Sequence, residues 1–509
     1  MSEERAIWGS KFGFLMAAIG SAVGLGNIWR FSYVTYDNGG AAFLIPYLVA
    51  ILVAGIPLMI LEYGFGHKER GSSPLSFGNH GRFMEGVGWW MPTVATIGIQ
   101  LFYAVVMAWC VRYFFFSFTL AWGADTEAFF YKEFLNLSKG PFDLGGFNWG
   151  ILASTLAIWV ACWAICFKEV NHGIEKACSV FMPLLFILTA VLVFWTLTLD
   201  GAVDGIKAYI VDVDMDKLKD SKTWITAFGQ IFFSLSLGFG IMITYASYLP
   251  KKTSIVKNAL LTTVFNCGFS IFAGFAVFAT LGFMANAKGV PVADVVASGP
   301  GLAFVAYPEA INQLPFGQAA FGAVFFFTLI IAGLSSGISL IEAFTCSVTD
   351  KFKCNRGKTV TWICVLGFFG SVIFTTNAGL YVLDIVDHFV NNYGILVGGL
   401  LECILVGWFI KAKVIQKHVN ESRGDEWGYL PTLWNICIKF VTPTILVWVL
   451  IVAIRNDLAD NYGGYEPKAL VVYGMLFLVF TVIIATVLTV LPWTQKKHEH
   501  EVEEDHLLV

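Results

Sequence analysis

The decapeptide SAVGLGNIWR, Ser21–Arg30, interrupts an apolar segment that is long enough to cross a membrane. Glycine weakens a helix because it loses the most conformational freedom on folding. Asn27 and Arg30 place polar groups where hydrocarbon solvates them poorly. Gly20 and Gly24 have the spacing of a helix-packing motif, but close packing explains neither polar residue. The stretch therefore predicts an unwound helix that lines a cavity within a membrane protein.

The composition favours a lipid bilayer as the surroundings of the whole chain, 1–509, which we interpret as one integral membrane domain. Apolar residues make up 57% of the 509 positions and charged residues 13%, with a mean hydropathy of +0.71. Soluble domains carry about 25% charged residues. The formal net charge of −4 gives no reason to expect a nucleic-acid partner.

Apolar stretches of about 20 residues, each able to cross a hydrocarbon core of about 30 Å, recur along the chain. We number the predicted membrane segments span 1 to span 12. They cover 12–36, 41–66, 88–121, 148–167, 177–199, 223–248, 258–284, 317–347, 359–376, 380–410, 431–454 and 466–492. With both termini inside, Lys and Arg are about twice as frequent on the inner side, as the positive-inside rule requires. This predicts a cell inner (plasma) membrane protein with a cytoplasmic N-terminus, 1–11, and a cytoplasmic tail, 493–509.

No motif indicates an enzyme: the sequence contains no HExxH, no Walker loop and no GxSxG. The outer loops 122–147, 200–222 and 285–316 contain no cysteine, so a disulfide framework is not predicted. A second interruption, QIFFSLSLGFG at 230–240, lies in span 6. Interruptions at corresponding positions of two halves of a chain indicate a transporter site.

Four motifs resemble the neurotransmitter/sodium symporters, a family of secondary transporters. They are GSAVGLGNIWRF (20–31), NGGAAFLIPY (38–47), GQIFFSLSLGFG with TYASY (229–248), and AGLSSGIS (332–339). The resemblance implies an all-helical LeuT-type fold with twelve transmembrane helices and unwound first and sixth helices. Residues 12–199 and 223–410 would be two inverted five-helix repeats, and 431–492 would add two helices.

The resemblance also implies two sodium sites built from oxygen ligands, several of them carbonyls freed by unwinding. The first falls on Ala22, Asn27, Ser234 and Asn266, and the second on Gly20, Val23, Ala332, Ser335 and Ser336. Alternatively, the hydroxyls of Ser335 and Ser336 bond back to carbonyls of their own helix.

By the same resemblance, a substrate pocket would be lined by Ser21, Ala22, Leu25, Gly26, Ile99, Tyr103, Phe233, Ser234, Ser236, Phe239, Ser336 and Leu340. Tyr103 would donate a hydrogen bond to a substrate carboxylate, which would complete the first sodium site. Monoamine transporters of the family carry Asp at the position of Gly24, so glycine there indicates an amino acid substrate. We expect small to medium aliphatic side chains, because no charged residue faces that region.

Many bacterial members carry an acid in span 7, but residues 258–283 contain no Asp or Glu. Ser270 occupies the position of that acid, as in chloride-dependent animal relatives. A chloride site would then comprise Tyr47, Gln230, Ser234, Asn266 and Ser270. Alternatively, Ser270 is an ordinary polar residue and Glu62 supplies the negative charge, which would make the transporter chloride-independent.

The family also has gates on both sides of the site. Arg30 and Asp387 match the outer gate, and Arg5, Trp8, Tyr248 and Asp350 match the inner gate. Glu62 matches a glutamate that caps the unwound part of span 6, whereas we interpret Asp384 and Glu402 as structural. These features predict sodium-coupled, alternating-access uptake of amino acids. The rival functions are an ion channel, a membrane enzyme and a transporter-like amino acid sensor, and the oligomeric state stays open.

Overall fold

The computed structural model describes residues 7–295 and 299–494, and the regular secondary structure of this part of the chain is helical apart from one isolated β-bridge between Phe147 and Thr376. Ten helices are long and apolar enough to cross a membrane. They are Gly40–Glu69, Arg82–Ser117, Trp149–Cys166, Ile174–Thr196, Ile255–Lys288, Gln318–Phe352, Arg356–Thr375, Gly379–Phe409, Leu433–Gly464 and Pro467–Val490. They correspond to spans 2–5 and 7–12, so the predicted positions of these spans are confirmed.

Span 1 consists of two helices, Lys11–Ala22 and Leu25–Asp37, which meet at an angle of 50°. Together they bring the number of candidate spans to eleven. Span 6 is divided more widely, into Ser221–Ser234 and Ile241–Ser247, with residues 235–240 outside either helix. Neither piece alone could cross about 30 Å of hydrocarbon at 1.5 Å per residue.

Short helices connect the spans. Ser73–Gly78 and Ala412–Ser422 lie in loops on the predicted inner side, and Ala202–Ile210 and Tyr307–Gln313 lie in loops on the outer side. The sequence analysis did not predict these short helices, because a search for apolar stretches of about 20 residues does not detect them. Several spans contain a π-helical turn, such as Val94–Gln100 in span 3, which ends beside the central cavity. π-Turns of this kind often occur at functional sites.

Spans 1, 3, 6 and 8 surround the centre of the molecule, and spans 2 and 7 pack behind the two breaks. Spans 2 and 6 approach each other closely at Gly66, where a Cβ atom would collide with the carbonyl group of Ile243. A glycine is required there because span 6 lies directly against the backbone of span 2. The short inner helix of span 6 is thereby held in place although it has only seven residues.

The end of span 12 is fastened to spans 3 and 8 by a buried lysine. Lys351 Nζ donates to Glu85 Oε1 over 2.6 Å and to the carbonyl oxygens of Leu488 and Thr489. Trp493 Nε1 donates to the same Glu85 oxygen over 3.0 Å. Both charged side chains are almost completely buried. The last turn of span 12 thus satisfies a charge that would otherwise be very costly to bury.

This arrangement predicts that replacing one member of the pair destabilises the protein more than replacing both. Lys351→Met leaves the Glu85 carboxylate buried without its cation, at a cost of about 3–5 kcal/mol. Lys351→Met with Glu85→Gln removes both charges and should regain much of that loss. Thermal unfolding of the purified variants in detergent measures the difference. A single variant as stable as the wild type, or a double variant less stable than the single one, would contradict this interpretation.

Candidate functional site

The break in span 1 is held open by its own side chains. The first helix ends at Ala22, and Val23 and Gly24 adopt extended conformations before the next helix begins at Leu25. Asn27 Oδ1 accepts a hydrogen bond of 2.9 Å from the amide of Gly24. The side chain of Asn27 therefore replaces a helix carbonyl as the partner of this buried amide.

A polar cluster joins this break to spans 6 and 7. Asn27 Nδ2 lies 3.0 Å from Ser234 Oγ and 2.8 Å from one end of the Asn266 carboxamide. The same end of Asn266 lies 3.1 Å from the Ala22 carbonyl oxygen. The structure thus brings together all four residues of the first predicted sodium site, although their role as ligands stays a prediction.

A second group of oxygens lies between spans 1 and 8. Ser336 Oγ is 3.3 Å from the Gly20 carbonyl oxygen, 3.2 Å from that of Ser21 and 3.3 Å from that of Val23. One hydroxyl proton cannot satisfy three carbonyl acceptors, so the converging oxygens suit a cation. Ser336 therefore does not bond back to its own helix.

Ser335 does bond back to its own helix, because its Oγ donates to the Ala332 carbonyl oxygen over 2.9 Å. It nevertheless faces span 1: a Cβ atom on Gly20 would lie 3.2 Å from Ser335 Cβ. The five residues of the second predicted sodium site are therefore neighbours. Their coordination of sodium also stays a prediction.

A cavity lies between these two oxygen clusters. All twelve residues of the predicted substrate pocket line it: Ser21, Ala22, Leu25, Gly26, Ile99, Tyr103, Phe233, Ser234, Ser236, Phe239, Ser336 and Leu340. Ile241 and Ser339 also line it, which the sequence analysis missed. Ser339 follows Ser336 by three residues, so helical periodicity could have indicated it.

The polar end of the cavity lies beside the break in span 1. Tyr103 Oη accepts a hydrogen bond of 3.3 Å from the amide of Leu25, the first residue of the outer helix. A Cβ atom on Gly24 would lie 2.9 Å from Ser336 Oγ and 3.0 Å from Tyr103 Oη. In this conformation a side chain at position 24 would therefore crowd both hydroxyls. Ser21 Oγ is buried without a hydrogen-bond partner.

The break in span 6 depends on backbone conformations that most residues avoid. Ser236, Gly238 and Gly240 have φ values of 53°, 78° and 71°. At Gly238 a Cβ atom would lie 3.1 Å from the amide nitrogen of Gly399 in span 10. Glu62 Oε1 accepts a hydrogen bond of 2.8 Å from the amide of Gly238. The carboxyl group of span 2 thus caps the unwound backbone, which is the role that the resemblance implies for it.

The predicted chloride residues border the first oxygen cluster. Ser270 Oγ lies 2.8 Å from Asn27 Nδ2. Tyr47 Oη and both polar atoms of the Gln230 carboxamide are buried without hydrogen-bond partners. Buried polar groups nearly always have partners, so three orphaned atoms of this kind suit a bound polar species. Gln230 lies on the same helix as Ser234, one turn earlier.

Comparison with known proteins identifies the family of this chain. The model of the sodium:neurotransmitter symporter family matches residues 5–127 and 122–496. An uncharacterised sodium-dependent transporter of Methanocaldococcus jannaschii is 42% identical over 485 residues, which cover 95% of this chain and 97% of that protein.

The chain belongs to the sodium:neurotransmitter symporter family.

Two animal relatives are also similar. The sodium-dependent dopamine transporter of Bos taurus is 33% identical and covers 91% of this chain and 71% of its own length. The human sodium- and chloride-dependent neutral and basic amino acid transporter B(0+) is 30% identical, with coverage of 97% and 87%. The protein is therefore a sodium-dependent, multi-pass membrane transporter that binds a substrate, and not an enzyme. Family membership implies the LeuT-type fold.

Three of the predicted inner-gate residues, Trp8, Tyr248 and Asp350, are held by hydrogen bonds within the described part of the chain. Trp8 Nε1 donates to the Tyr245 carbonyl oxygen over 2.8 Å, and Trp8 is 4% exposed. Tyr248 Oη donates to Glu342 over 3.0 Å, and Asp350 Oδ2 accepts from the amide of Ser72 over 2.8 Å. Arg5, the fourth predicted inner-gate residue, lies outside the described residues.

A buried ion pair at the inner end was not apparent from the sequence. Arg356 Nη2 lies 2.6 Å from Glu342 Oε2, and Glu342 is completely buried. The pair holds the carboxyl group to which Tyr248 donates. The two residues are separated by fourteen positions and a turn between spans 8 and 9, so no helical periodicity connects them.

The two residues of the predicted outer gate, Arg30 and Asp387, are not in contact with each other. In the described part of the chain, Arg30 and Asp387 form no ion pair within 4.0 Å. The Arg30 guanidinium carbon lies 4.8 Å from the centre of the Phe233 ring, and Asp387 Oδ1 accepts from Asn391 Nδ2 over 2.7 Å. Each side chain has a local partner in this conformation, and the role of the two residues as an outer gate stays a prediction.

The three carbonyl oxygens around Ser336 generate a prediction about sodium. Ser336→Ala removes a hydroxyl oxygen from this group, and an interaction of a polar group with a charge contributes about 1.5–3 kcal/mol. We expect the sodium concentration for half-maximal substrate binding to rise by about tenfold or more.

Ser347→Ala is the matched control, because Ser347 is also buried in span 8 but donates only to the Ala343 carbonyl oxygen, over 2.7 Å. Sodium titrations of substrate binding compare the two variants. Equal sodium dependence in both would show that Ser336 is not a ligand.

Proposed function

We propose that the protein couples the uptake of neutral, small to medium aliphatic amino acids to the entry of sodium and chloride. The observation that carries this proposal is that the oxygen clusters and the cavity share residues. Ala22, Ser234 and Ser336 line the cavity and also belong to the predicted sodium sites. A substrate bound there would contact the same groups as the ions, which provides a physical basis for coupled transport.

The polar end of the cavity suits a carboxylate. The outer helix of span 1 begins at Leu25, so its positive dipole end and its amides face the cavity. Tyr103 Oη lies at the same place and can donate to an anion. A monoamine has no carboxylate of its own, and Gly24 does not supply one in its place. A free amino acid therefore fits this end better than a monoamine does.

The remaining wall of the cavity favours an aliphatic side chain. Ile99, Phe233, Phe239, Ile241 and Leu340 are apolar. Three hydroxyls of this region already donate to carbonyl oxygens: those of Ser236, Ser336 and Ser339. A charged side chain would be buried there without a partner, at a cost of several kcal/mol. The human relative that resembles this chain is named for neutral and basic amino acids.

Substrate competition in proteoliposomes tests this specificity. With an imposed sodium gradient, unlabelled alanine, valine, leucine and methionine should each reduce uptake of labelled leucine. Lysine and glutamate should compete at least about a hundredfold less well, as expected for an unpaired buried charge. If lysine or glutamate displaces leucine better than alanine does, the proposed substrate class is wrong. Saturable leucine binding without any uptake would favour the sensor.

The chloride part of the proposal rests on charge. Two sodium ions beside a zwitterion would leave an excess of buried positive charge, which is costly in a membrane interior. Span 7, Ile255–Lys288, carries Ser270 and no acid near the cluster. The unpartnered Tyr47 hydroxyl and Gln230 amide supply donors for an anion. The human amino acid transporter and other relatives with 30% identity are named sodium- and chloride-dependent.

Replacing chloride by gluconate at constant sodium should therefore reduce uptake by about tenfold or more, since a buried excess charge costs several kcal/mol. Ser270→Glu should transport in gluconate, because the carboxylate supplies the negative charge permanently, and chloride should no longer stimulate it. Ser270→Ala is the control, since it adds no charge and should still need chloride. Full wild-type uptake in halide-free buffer would refute the chloride site and favour a chloride-independent symporter.

Transport would proceed by alternating access across the cell inner membrane, with both termini in the cytoplasm. The closed inner side and the separated Arg30 and Asp387 side chains fit a conformation open towards the outside. Substrate and ions would enter past Phe233, after which Arg30 and Asp387 would approach each other. Separation of Trp8 and Tyr248 would then open the inner side.

A further inference from the structure

An arginine near the predicted outer end of span 3 has no acceptor within the protein. Arg112 lies in the last two turns of this span, which ends at Ser117. In the described part of the chain, 7–295 and 299–494, its guanidinium group donates no hydrogen bond and has no carboxylate within 4.0 Å. Its Nε atom is also shielded from solvent. Cations and shielded donors in membrane proteins nearly always have partners, so this guanidinium group requires an explanation.

The guanidinium group lies against the first turn of span 4. A Cβ atom on Gly150 would be 3.4 Å from Arg112 Cζ. Span 4 begins at Trp149, and the side chain of Asn148 accepts from the amide of Ile151 over 3.1 Å. The amides of Trp149 and Gly150 come before it and have no carbonyl of their own helix to donate to. An arginine and the positive end of a helix dipole therefore lie side by side.

Two positive groups in contact repel each other unless an anion compensates for both. The free carbonyls at the end of span 3 compensate for Arg112 only in part, because none of them accepts a hydrogen bond from it in the described part of the chain. Helix N-termini bind phosphate groups through their free amides, and arginine binds them through two parallel N–H donors. The arrangement of Arg112 and span 4 therefore suits a phosphate group.

The surroundings of this pair of donors favour the phosphate of a lipid over a soluble anion. Trp149 is 73% exposed and Phe115 is 58% exposed, as is typical of the aromatic belt at a membrane surface. Leu156 and Val160 lie on the same face of span 4 as Trp149, further into the membrane, and are also exposed. The acyl chains of a lipid whose phosphate group lies at Arg112 would cover these two side chains.

We propose that Arg112 and the first turn of span 4 bind the phosphate group of an anionic phospholipid, in the leaflet on the predicted outer side. The Phe116 ring, whose centre lies 4.9 Å from Arg112 Cζ, supports the guanidinium group from span 3. The bound lipid fastens span 4 to span 3, which also carries Ile99 and Tyr103 of the cavity. The inference is independent of the proposed function, since it concerns the lipid-facing surface and not the substrate.

Lipid binding to the purified, delipidated transporter tests this site. Native mass spectrometry with added phosphatidylglycerol counts the bound lipids and gives their affinities. The wild type should bind one phosphatidylglycerol at least about tenfold more tightly than Arg112→Gln, which lacks the hydrogen bonds of a charged donor. Arg455→Gln is the matched control, because Arg455 is an exposed arginine near the predicted outer end of span 11. It should bind this lipid as the wild type does.

Gly150→Leu tests the geometry without changing any charge. Its side chain would occupy the place of the guanidinium group, so it should weaken the binding of the same lipid by about as much. Without lipid, Arg112→Gln should unfold at the same temperature as the wild type, which separates loss of the lipid from loss of the fold. Equal affinity for phosphatidylglycerol in the wild type and Arg112→Gln would overturn the proposal. Arg112 would then be a side chain that extends into headgroup water.

Other ligands separate a lipid from a soluble anion. Inorganic phosphate and glycerol 3-phosphate have the phosphate group without acyl chains, and neither should displace phosphatidylglycerol. Phosphatidylcholine has the acyl chains but also a positive choline group, so it should bind the wild type more weakly than phosphatidylglycerol does. If inorganic phosphate displaces the lipid, the site binds a soluble anion and the proposed ligand is wrong. Equal affinities for the two lipids would contradict the argument from charge.

Discussion

Backbone amides and carbonyls in the middle of a membrane must find partners within the protein, because the surrounding lipid offers none. Spans 1 and 6 both lose their helical hydrogen bonds locally, at residues 23–24 and 235–240, and need other partners there. In span 1 the freed amide of Gly24 is satisfied by Asn27, and the freed carbonyls of Gly20 and Val23 face Ser336. In span 6 the freed amide of Gly238 is satisfied by Glu62. Spans 2 and 8 carry the partner residues Glu62 and Ser336, and the other helices hold these two spans against the breaks.

The two sides of the break in span 1 suit opposite charges, and this difference organises the site. The break in span 1 presents carbonyl oxygens in excess of donors, which favours cations. The outer helix that starts at Leu25 presents amides, which favours an anion. A zwitterion between sodium ions, as the proposed function has it, would satisfy both groups at once. The cavity is therefore polar where the breaks face it and apolar along spans 3 and 8, where the helices are intact.

Much of this site was predictable from sequence because the broken segments have unusual compositions. Glycines, serines and Asn27 within apolar spans showed where the backbone unwinds, and the motifs then identified the partner residues in spans 3, 7 and 8. The residues that no motif contained were harder to find. Arg356 reaches Glu342 across a turn between helices, and Lys351 reaches the end of span 12, 137 positions away.

The conformation of the gate and the exact path of the backbone could not be predicted from the sequence either. Arg30 matches a gate residue, but whether it contacts Asp387 or the Phe233 ring depends on how far the outer side has closed. Likewise, the glycines and serines of span 6 predicted a break, but hydropathy did not show where its two helices end, since the six residues between them include Leu235, Leu237 and Phe239. Only the positive φ values of Ser236, Gly238 and Gly240 separate the two helices. Hydropathy reports burial in a membrane and not the path of the backbone.

The central claim is that ions and substrate bind to one shared set of groups at the break in span 1. The most direct measurement is a thermodynamic cycle on the purified protein in detergent, with choline replacing sodium at constant chloride and ionic strength. Saturating sodium should raise the affinity for leucine, and saturating leucine should raise the affinity for sodium by the same factor, in the range of roughly 5–150-fold for typical coupling. An affinity for leucine that is equal in sodium and in choline would contradict a shared site.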